Sequence, residues 1–84
     1  MSEEKVNFKL TYPIQVGILV PLTAIKNGVL KYCFKYNLDC RILQSGIICR
    51  DVIFLIKGND TLKNAHKYDN DFRAYFHRLS IMYD

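Results

Sequence analysis

The sequence predicts a small α+β sandwich, in which a three-stranded antiparallel sheet carries two helices on one face. Even-numbered residues from Val6 to Val20 are apolar while the odd-numbered ones are mostly polar, the pattern of a strand with one buried face. Apolar side chains then recur at steps of three and four over 21–36 and again over 60–82, as in amphipathic helices. Between these helices, residues 39–57 are rich in Ile, Val and Leu and indicate a β-hairpin.

The first strand is predicted over about 5–12, with a continuation to residue 16. Pro13 cannot donate a ladder hydrogen bond, so it marks an edge, a bend or a bulge. Pro21 suits the first turn of the helix over 21–36, and Asn37 is a typical left-handed stop after it. Gly28 is either a weak point of that helix or a point of close packing.

Two registers compete for the hairpin. The turn lies either at Ser45-Gly46 or at Arg50-Asp51, and in the second case strand two runs to about Ile48 with Gly46 as a bulge. We favour the second register because it leaves 52–56 as an unbroken strand. That segment is apolar on both faces, which is typical of a central strand covered on two sides.

The second helix has open alternatives at both ends. Gly58-Asn59 is predicted to end the preceding strand, and Asn59 or Asp60 to cap the helix. The segment 69–71 interrupts the apolar stripe, and it would divide the helix in two if it caps a new helix there. Residues 79–83 continue the helix or form a short last strand.

The order β-α-β-β-α corresponds to the ferredoxin-like arrangement with its last strand short or missing. All 84 residues are expected to form a single domain, 1–84. The alternation selects the buried face of the sheet, which is predicted to carry Val6, Phe8, Leu10, Val52, Phe54 and Ile56.

Composition indicates an intracellular chain. The cysteine number is odd, three in all, and the N-terminus is acidic and polar, unlike a secretory signal, so we expect a reducing, cytoplasmic location. The longest uncharged run, 10–25, is too short and too polar for a membrane span. The abundance of Lys, Asn, Ile and Tyr is typical of AT-rich genomes and compatible with a phage or viral protein acting in the host cytoplasm.

The residues that carry chemistry do not form a recognisable catalytic or metal site, so no enzyme activity, cofactor or metal is expected. Both Glu residues stand at the N-terminus, and the cysteines are separated by gaps of seven and nine rather than in the close pairs of zinc sites. His66 and His77 share a helix face but would lie about 16 Å apart, too far for one ion. Glycine-rich phosphate motifs are absent from the sequence, and no small-molecule substrate is evident.

A basic cluster on the first helix suggests one possible function. The net charge of the chain is +4, and the first helix contributes Lys26, Lys31 and Lys35 without any acidic residue. Interleaved Lys and aromatic residues can hold phosphates and stack bases. With Arg73, these lysines define a candidate nucleic-acid interface, the alternative function.

The apolar surplus suggests a different function. If Val52, Phe54 and Ile56 face the helices, Ile53 and Leu55 face the other side of the sheet, where Leu43 joins them, as does Ile47 in one register. On the first helix, Leu30 and Phe34 stand off the apolar stripe. A contiguous exposed apolar area marks an interface. The sequence therefore predicts a non-enzymatic protein-binding module, an inhibitor or regulator, that binds another protein or a second copy as a homodimer.

Overall fold

The computed structural model of the chain describes residues 4–46 and 50–83, with side chains up to Ser80. Within these residues there are three strands and two helices: β1 (Lys5–Val16), α1 (Leu22–Lys35), β2 (Asp39–Ser45), β3 (Arg50–Thr61) and α2 (Leu62–Tyr83). The predicted α+β class and element order are confirmed. Among the described helices, none is long and apolar enough to cross a membrane.

The sheet has the order β1-β3-β2, with both neighbouring pairs antiparallel. β1 pairs with β3 along its whole length, from Lys5 opposite Thr61 to Val16 opposite Arg50, and passes through Pro13 without a break. The proline is tolerated because β1 is an edge strand of the described sheet. β2 is shorter and pairs only with residues 51–57 of β3, so β3 is the central strand.

Both helices pack on the same face of the sheet, α1 over β2 and α2 over β1 and β3. Central β3 supplies the middle of the core, because the side chains of Val52, Phe54 and Ile56 are fully buried. Aromatic rings join the helices to the sheet. The Phe72 ring of α2 lies 5.5 Å from Tyr12 of β1 and 4.7 Å from Tyr32 of α1, measured between centroids.

The predicted buried face of the sheet is confirmed at its centre but not at its end. Phe8 and Leu10 pack against the core, whereas Val6 remains 38% exposed. Val6 pairs with Asp60, beyond the residues of β3 that β2 reaches, so the sheet is only two strands wide there.

The favoured hairpin register is wrong. Arg50 and Asp51 belong to β3, and Asp51 pairs with Ser45, so the connection lies between residues 45 and 50. Gly46 is not a bulge in a longer strand, because β2 ends at Ser45 and Gly46, with a φ of 87°, lies beyond it. Ile47, Ile48 and Cys49 lie outside the described residues.

The predicted break at Gly58-Asn59 is also wrong, since β3 continues to Thr61. Gly58 stays in the strand because the ring of Phe8 covers it; an added Cβ would lie 2.5 Å from Phe8 Cζ and 2.7 Å from Leu38 Cδ2. The cap of α2 is therefore neither Asn59 nor Asp60. Instead, the Thr61 hydroxyl accepts the backbone N–H of Asn64 at 3.2 Å.

α2 is one continuous helix, so residues 69–71 do not re-cap the chain and residues 79–83 form no strand. Asp69 and Asp71 instead accept hydrogen bonds from the hydroxyls of Tyr12 and Tyr32. Gly28 is a point of close packing, because a Cβ there would collide with the hydroxyl of Tyr75.

Candidate interaction surface

The side of the sheet that faces away from both described helices is the candidate interaction surface, and we call it the open face. In an antiparallel sheet, residues directly opposite each other point to the same side. The register places Pro13, Ile53 and Leu43 opposite one another in a single row across all three strands. In the next row, Leu55 lies between Thr11 and Arg41.

These two rows give the open face an apolar centre. Ile53 and Leu55 are partly shielded by their neighbours, while Leu43 on the edge strand is 47% exposed. Both described helices pack on the opposite side. Central β3 is thus apolar on two faces but covered by helices on one. Part of the surplus of apolar residues that the sequence shows is located here, while other exposed apolar side chains lie on α1, on α2 and in the loop after β1.

The end of the open face next to Leu55 is mainly basic. Lys9, Lys57 and Asp39 stand opposite one another in the row next to Leu55, and Arg41 lies beside it on β2. Asp39, Arg41, Leu55 and Lys57 line a shallow depression of about 120 Å³.

At the other end of the face, next to Ile53, Asp51 stands between Gln15 and Ser45, so the three cations are concentrated at the Leu55 end. That end favours a partner that is acidic there.

The five predicted apolar contact residues form two separate surfaces. Leu43, Ile53 and Leu55 come together on the open face. Leu30, 43% exposed, and Phe34, 90% exposed, belong to α1 on the other side of the sheet. They therefore cannot extend the open face within one molecule.

The four predicted basic residues do not form one patch either. Lys26 donates to Oε1 of Gln44 on β2, 2.5 Å away. Arg73 lies 3.0 Å from Asp69, whose other partner is Tyr12 on β1. β1 and β2 are opposite edges of the described sheet, so Lys26 and Arg73 lie on opposite flanks of the helix layer.

The two lysines at the end of α1 remain exposed to solvent. The ammonium of Lys35 lies 5.4 Å from the centroid of the Tyr36 ring, and Lys67 of α2 lies 5.1 Å from the same centroid. These cation–π contacts account for part of the basic and aromatic interleaving that the sequence shows. Lys31 lies on the outer face of the same helix.

The chain matches no protein-family model, no curated protein and no solved structure. Its function is therefore inferred from its own surfaces.

One apolar surface was not predicted from the sequence. Ile18 and Leu19 are exposed in the loop between β1 and α1, and Arg50 holds that loop by donating from Nη2 to the carbonyls of Gly17 and Val20 at 2.6 and 2.8 Å. A cleft of about 300 Å³ adjoins the loop; its apolar lining consists of Ile14, Val16, Val20, Ile25, Phe76 and Leu79. The uncharged run 10–25 could have pointed to this surface, but helix and strand periodicity assign its apolar residues to the core.

The described thiols are poor nucleophiles. Burial, together with the neighbouring Cys40 thiol, raises the pKa of Cys33 to about 12, and burial also raises the pKa of Cys40. Both are free cysteines between α1 and β2 and stay protonated near neutral pH. Among the described residues, no group of three His, Cys, Asp or Glu side chains is placed to hold a metal ion.

Proposed function

We propose that this protein is a non-enzymatic binding module that docks another protein on the open face of its sheet. The observation that carries the proposal is the position of Ile53 and Leu55. Both lie on central β3, on the side away from the two described helices, and they form a continuous apolar centre with Pro13 and Leu43. An exposed apolar patch of this kind is typical of a contact site.

The chemistry of the open face defines its partner. An apolar surface on the partner would bury the centre, at about 25 cal/mol per Å² of apolar area removed from water. The rim cations Lys9, Arg41 and Lys57 would orient an acidic partner and raise its association rate. Such binding acts by steric coverage, as expected for an inhibitor or regulator.

The area of the open face determines how much of it a partner must cover to bind stably. Three strands of seven residues span about 14 Å by 24 Å, at about 4.8 Å between strands and 3.4 Å per residue. A stable protein–protein contact buries about 800 Å² on each side. The whole area, about 340 Å², already includes the rim lysines and Arg41 and is smaller than that. The partner therefore has to cover the rim as well as the apolar centre and to extend beyond both.

Nucleic-acid binding remains the alternative prediction. Of its four residues, only Lys31 and Lys35 lie close together, at the end of α1, and Arg73 is already paired with Asp69. Titration with single- and double-stranded oligonucleotides at two salt concentrations tests it. Binding that falls steeply with salt and is lost in Lys31→Glu/Lys35→Glu would favour the alternative.

The proposal is tested by affinity capture from the native host with matched baits, followed by measuring the Kd of the captured protein. We expect Leu43→Thr/Leu55→Thr to weaken binding at least tenfold, since central apolar contacts carry most of the binding energy. Threonine keeps the strand preference and removes the apolar surface. Val6→Thr is the control, because it makes the same kind of change at an exposed strand residue that faces away from the open face.

Three results would contradict the proposal. They are equal affinity in the wild type and the double variant, equal loss in the Val6→Thr control, and capture of nucleic acid alone. Thermal melts of all baits show whether a variant that no longer binds is still folded.

A further inference from the structure

The three cations at the Leu55 end of the open face are not paired within the chain. Lys9, Arg41 and Lys57 are exposed, and among the described residues none of the three has a hydrogen bond or an ion pair. Asp39 stands opposite Lys57, yet these two side chains form no ion pair. The positive charge of this end is therefore available to a ligand that carries carboxylates or phosphates.

The other residues of the open face favour carboxylates over the phosphates of a nucleic acid. Odd-numbered strand residues point to this side, and all of the described ones are aliphatic, polar or charged. The aromatic strand residues Phe8, Tyr12 and Phe54 pack in the core on the helix side. Single-stranded nucleic acids are bound by stacking their bases on aromatic rings, which the described strands do not offer on the open face. Apolar Ile53 and Leu55 beside the cations suit an acidic polypeptide instead.

The charges and the apolar residues of the open face are arranged along β3. Asp51, Ile53, Leu55 and Lys57 follow one another at steps of two, so their side chains form one line on this side of the sheet. The carboxylate is at one end of the line and the ammonium at the other. From Asp51 to Lys57 the line is about 20 Å long at about 3.4 Å per residue. A partner segment that complements it is elongated, apolar in the middle and acidic at the Lys57 end.

A segment that lies flat on a sheet has to satisfy its own backbone hydrogen bonds. The free backbone groups of a sheet are at its edges, whereas side chains project from its face. An extended segment on the open face would leave N–H and C=O groups without partners at the contact, but a helix pairs these groups internally. A helix with its side chains is about 10–12 Å wide, which fits the width of about 14 Å across three strands.

We propose that the partner docks an amphipathic α-helix along β3, with its acidic residues over the Leu55 end of the open face. This proposal rests on the proposed function and names the element that the open face receives. About 14 helical residues cover the line of about 20 Å at about 1.5 Å per residue. Apolar helix residues four apart are separated by about 6 Å along the axis, close to the spacing of about 7 Å between Ile53 and Leu55. The helix forms a third layer on the side of β3 that the described helices leave uncovered.

A second copy of this chain complements the open face less well than an acidic helix does. Cations outnumber carboxylates on this face, and two copies placed face to face would combine the same excess of positive charge. Like charges that meet across an interface weaken association.

Selection of a displayed library of random peptides, each of about 16 residues, for binding to the full chain tests the proposal. We expect the enriched peptides to combine apolar residues at steps of three and four with Asp or Glu. Replacing a central residue by proline should abolish their binding, because proline breaks a helix. Methyl NMR signals of Leu43, Ile53 and Leu55 should shift when an enriched peptide is added to the wild type.

Arg41→Gln/Lys57→Gln should weaken the binding of an enriched peptide at least threefold and reduce its salt dependence, because contacts with two cations are lost. Lys31→Gln/Lys63→Gln is the matched control, since it removes the same charge from exposed residues of the two helices. Binding of the control variant should equal that of the wild type.

Failure to enrich any peptide overturns the proposal, as do enriched peptides that lack acidic residues or tolerate the central proline. Equal affinity in the two double variants overturns it too. Self-association of the chain that is lost in Leu43→Thr/Leu55→Thr has the same consequence, because a second copy would then cover the open face.

The proposed function and the docked helix can fail separately. A captured host protein that requires Leu43 and Leu55 but binds Arg41→Gln/Lys57→Gln as tightly as the wild type overturns the helix and leaves the proposed function intact. Peptides that bind as expected, while the host yields nucleic acid alone, contradict the proposed function and not the helix.

Discussion

At the scale of single residues, three phenol–carboxylate pairs connect α2 to its surroundings. In each pair a tyrosine hydroxyl donates to an aspartate at 2.6 or 2.7 Å: Tyr12 to Asp69, Tyr32 to Asp71, and Tyr68 to Asp60. The first pair joins α2 to β1, and the second joins α2 to α1. The rings also pack in the core, so each tyrosine contributes apolar burial and one directed hydrogen bond.

The Tyr12–Asp69 pair changes the pKa of both partners. Burial would raise the pKa of Asp69, but the hydrogen bonds from Tyr12 and Arg73 and the charge of Arg73 outweigh it, and the pKa is lowered. On the phenol side, burial and the hydrogen bond to Asp69 raise the pKa of Tyr12 above its ordinary value. Asp69 is therefore an anion in the folded state well below neutral pH.

Asp69→Asn should reduce stability at pH 7 by about 1 kcal/mol, since it removes a hydrogen bond to a charged acceptor that is partly exposed. A carboxyl whose pKa is lowered on folding stabilises the folded state above its ordinary value of 3.8, and this contribution is lost as the pH falls through and below that value. Urea titrations at neutral pH and well below pH 3.8 should show the stabilities of the wild type and the variant converging in acid. Asp51→Asn is the control. An undiminished stability difference in acid would contradict the account.

The role of Asp69 could not be predicted from the local sequence. Helix patterns compare neighbours three and four apart, so Asp69 and Asp71 resemble capping residues. Their partners Tyr12 and Tyr32 stand 57 and 39 residues away along the chain.

At the scale of elements, Gly28 sets how closely α1 and α2 approach. The Tyr75 ring of α2 lies against it, and the Tyr75 hydroxyl donates to the carbonyl of Ile25 at 3.3 Å. In an isolated helix, alanine would be better than glycine by about 1 kcal/mol. Here the added methyl collides with the Tyr75 hydroxyl.

Gly28→Ala should therefore destabilise the protein by about 1 kcal/mol despite its better helix propensity. In a Tyr75→Phe background the same substitution should cost clearly less, because the closest atom is gone. Thermal or urea unfolding of the four chains of this double-mutant cycle measures the coupling. If Gly28→Ala lowers the free energy of unfolding equally in both backgrounds, the Tyr75 hydroxyl is not the group it collides with.

The elements were predictable where their signal is local. Helical periodicity located α1 within one residue at each end and α2 within two. Strand alternation located the start of β1, which runs on to residue 16 rather than ending at 12. The hairpin register and the end of β3 were not predicted, because both depend on partners across the sheet. Gly58 ends a strand by local preference, yet Phe8 from the neighbouring strand keeps it inside β3.

At the scale of the whole molecule, the one-sided arrangement of the helices explains part of the apolar surplus, namely that of β3 and β2. β3 has the composition of a strand covered on two sides, but the described helices cover one. The sequence was sufficient to place Ile53 and Leu55 on the open face. The same prediction of both helices on one side also separates Leu30 and Phe34 from them. The sequence was insufficient to show that α1 packs over β2 and α2 over β1 and β3.

The central claim is that a protein partner binds the open face. The most direct measurement is a methyl NMR spectrum of the chain with labelled Ile and Leu residues, recorded with and without the captured partner. The account predicts shifts or broadening of the methyl signals of Leu43, Ile53 and Leu55, with the buried Leu22 and Ile25 unchanged. Changes confined to Ile18 and Leu19 of the loop, or to Leu30 of α1, would contradict it.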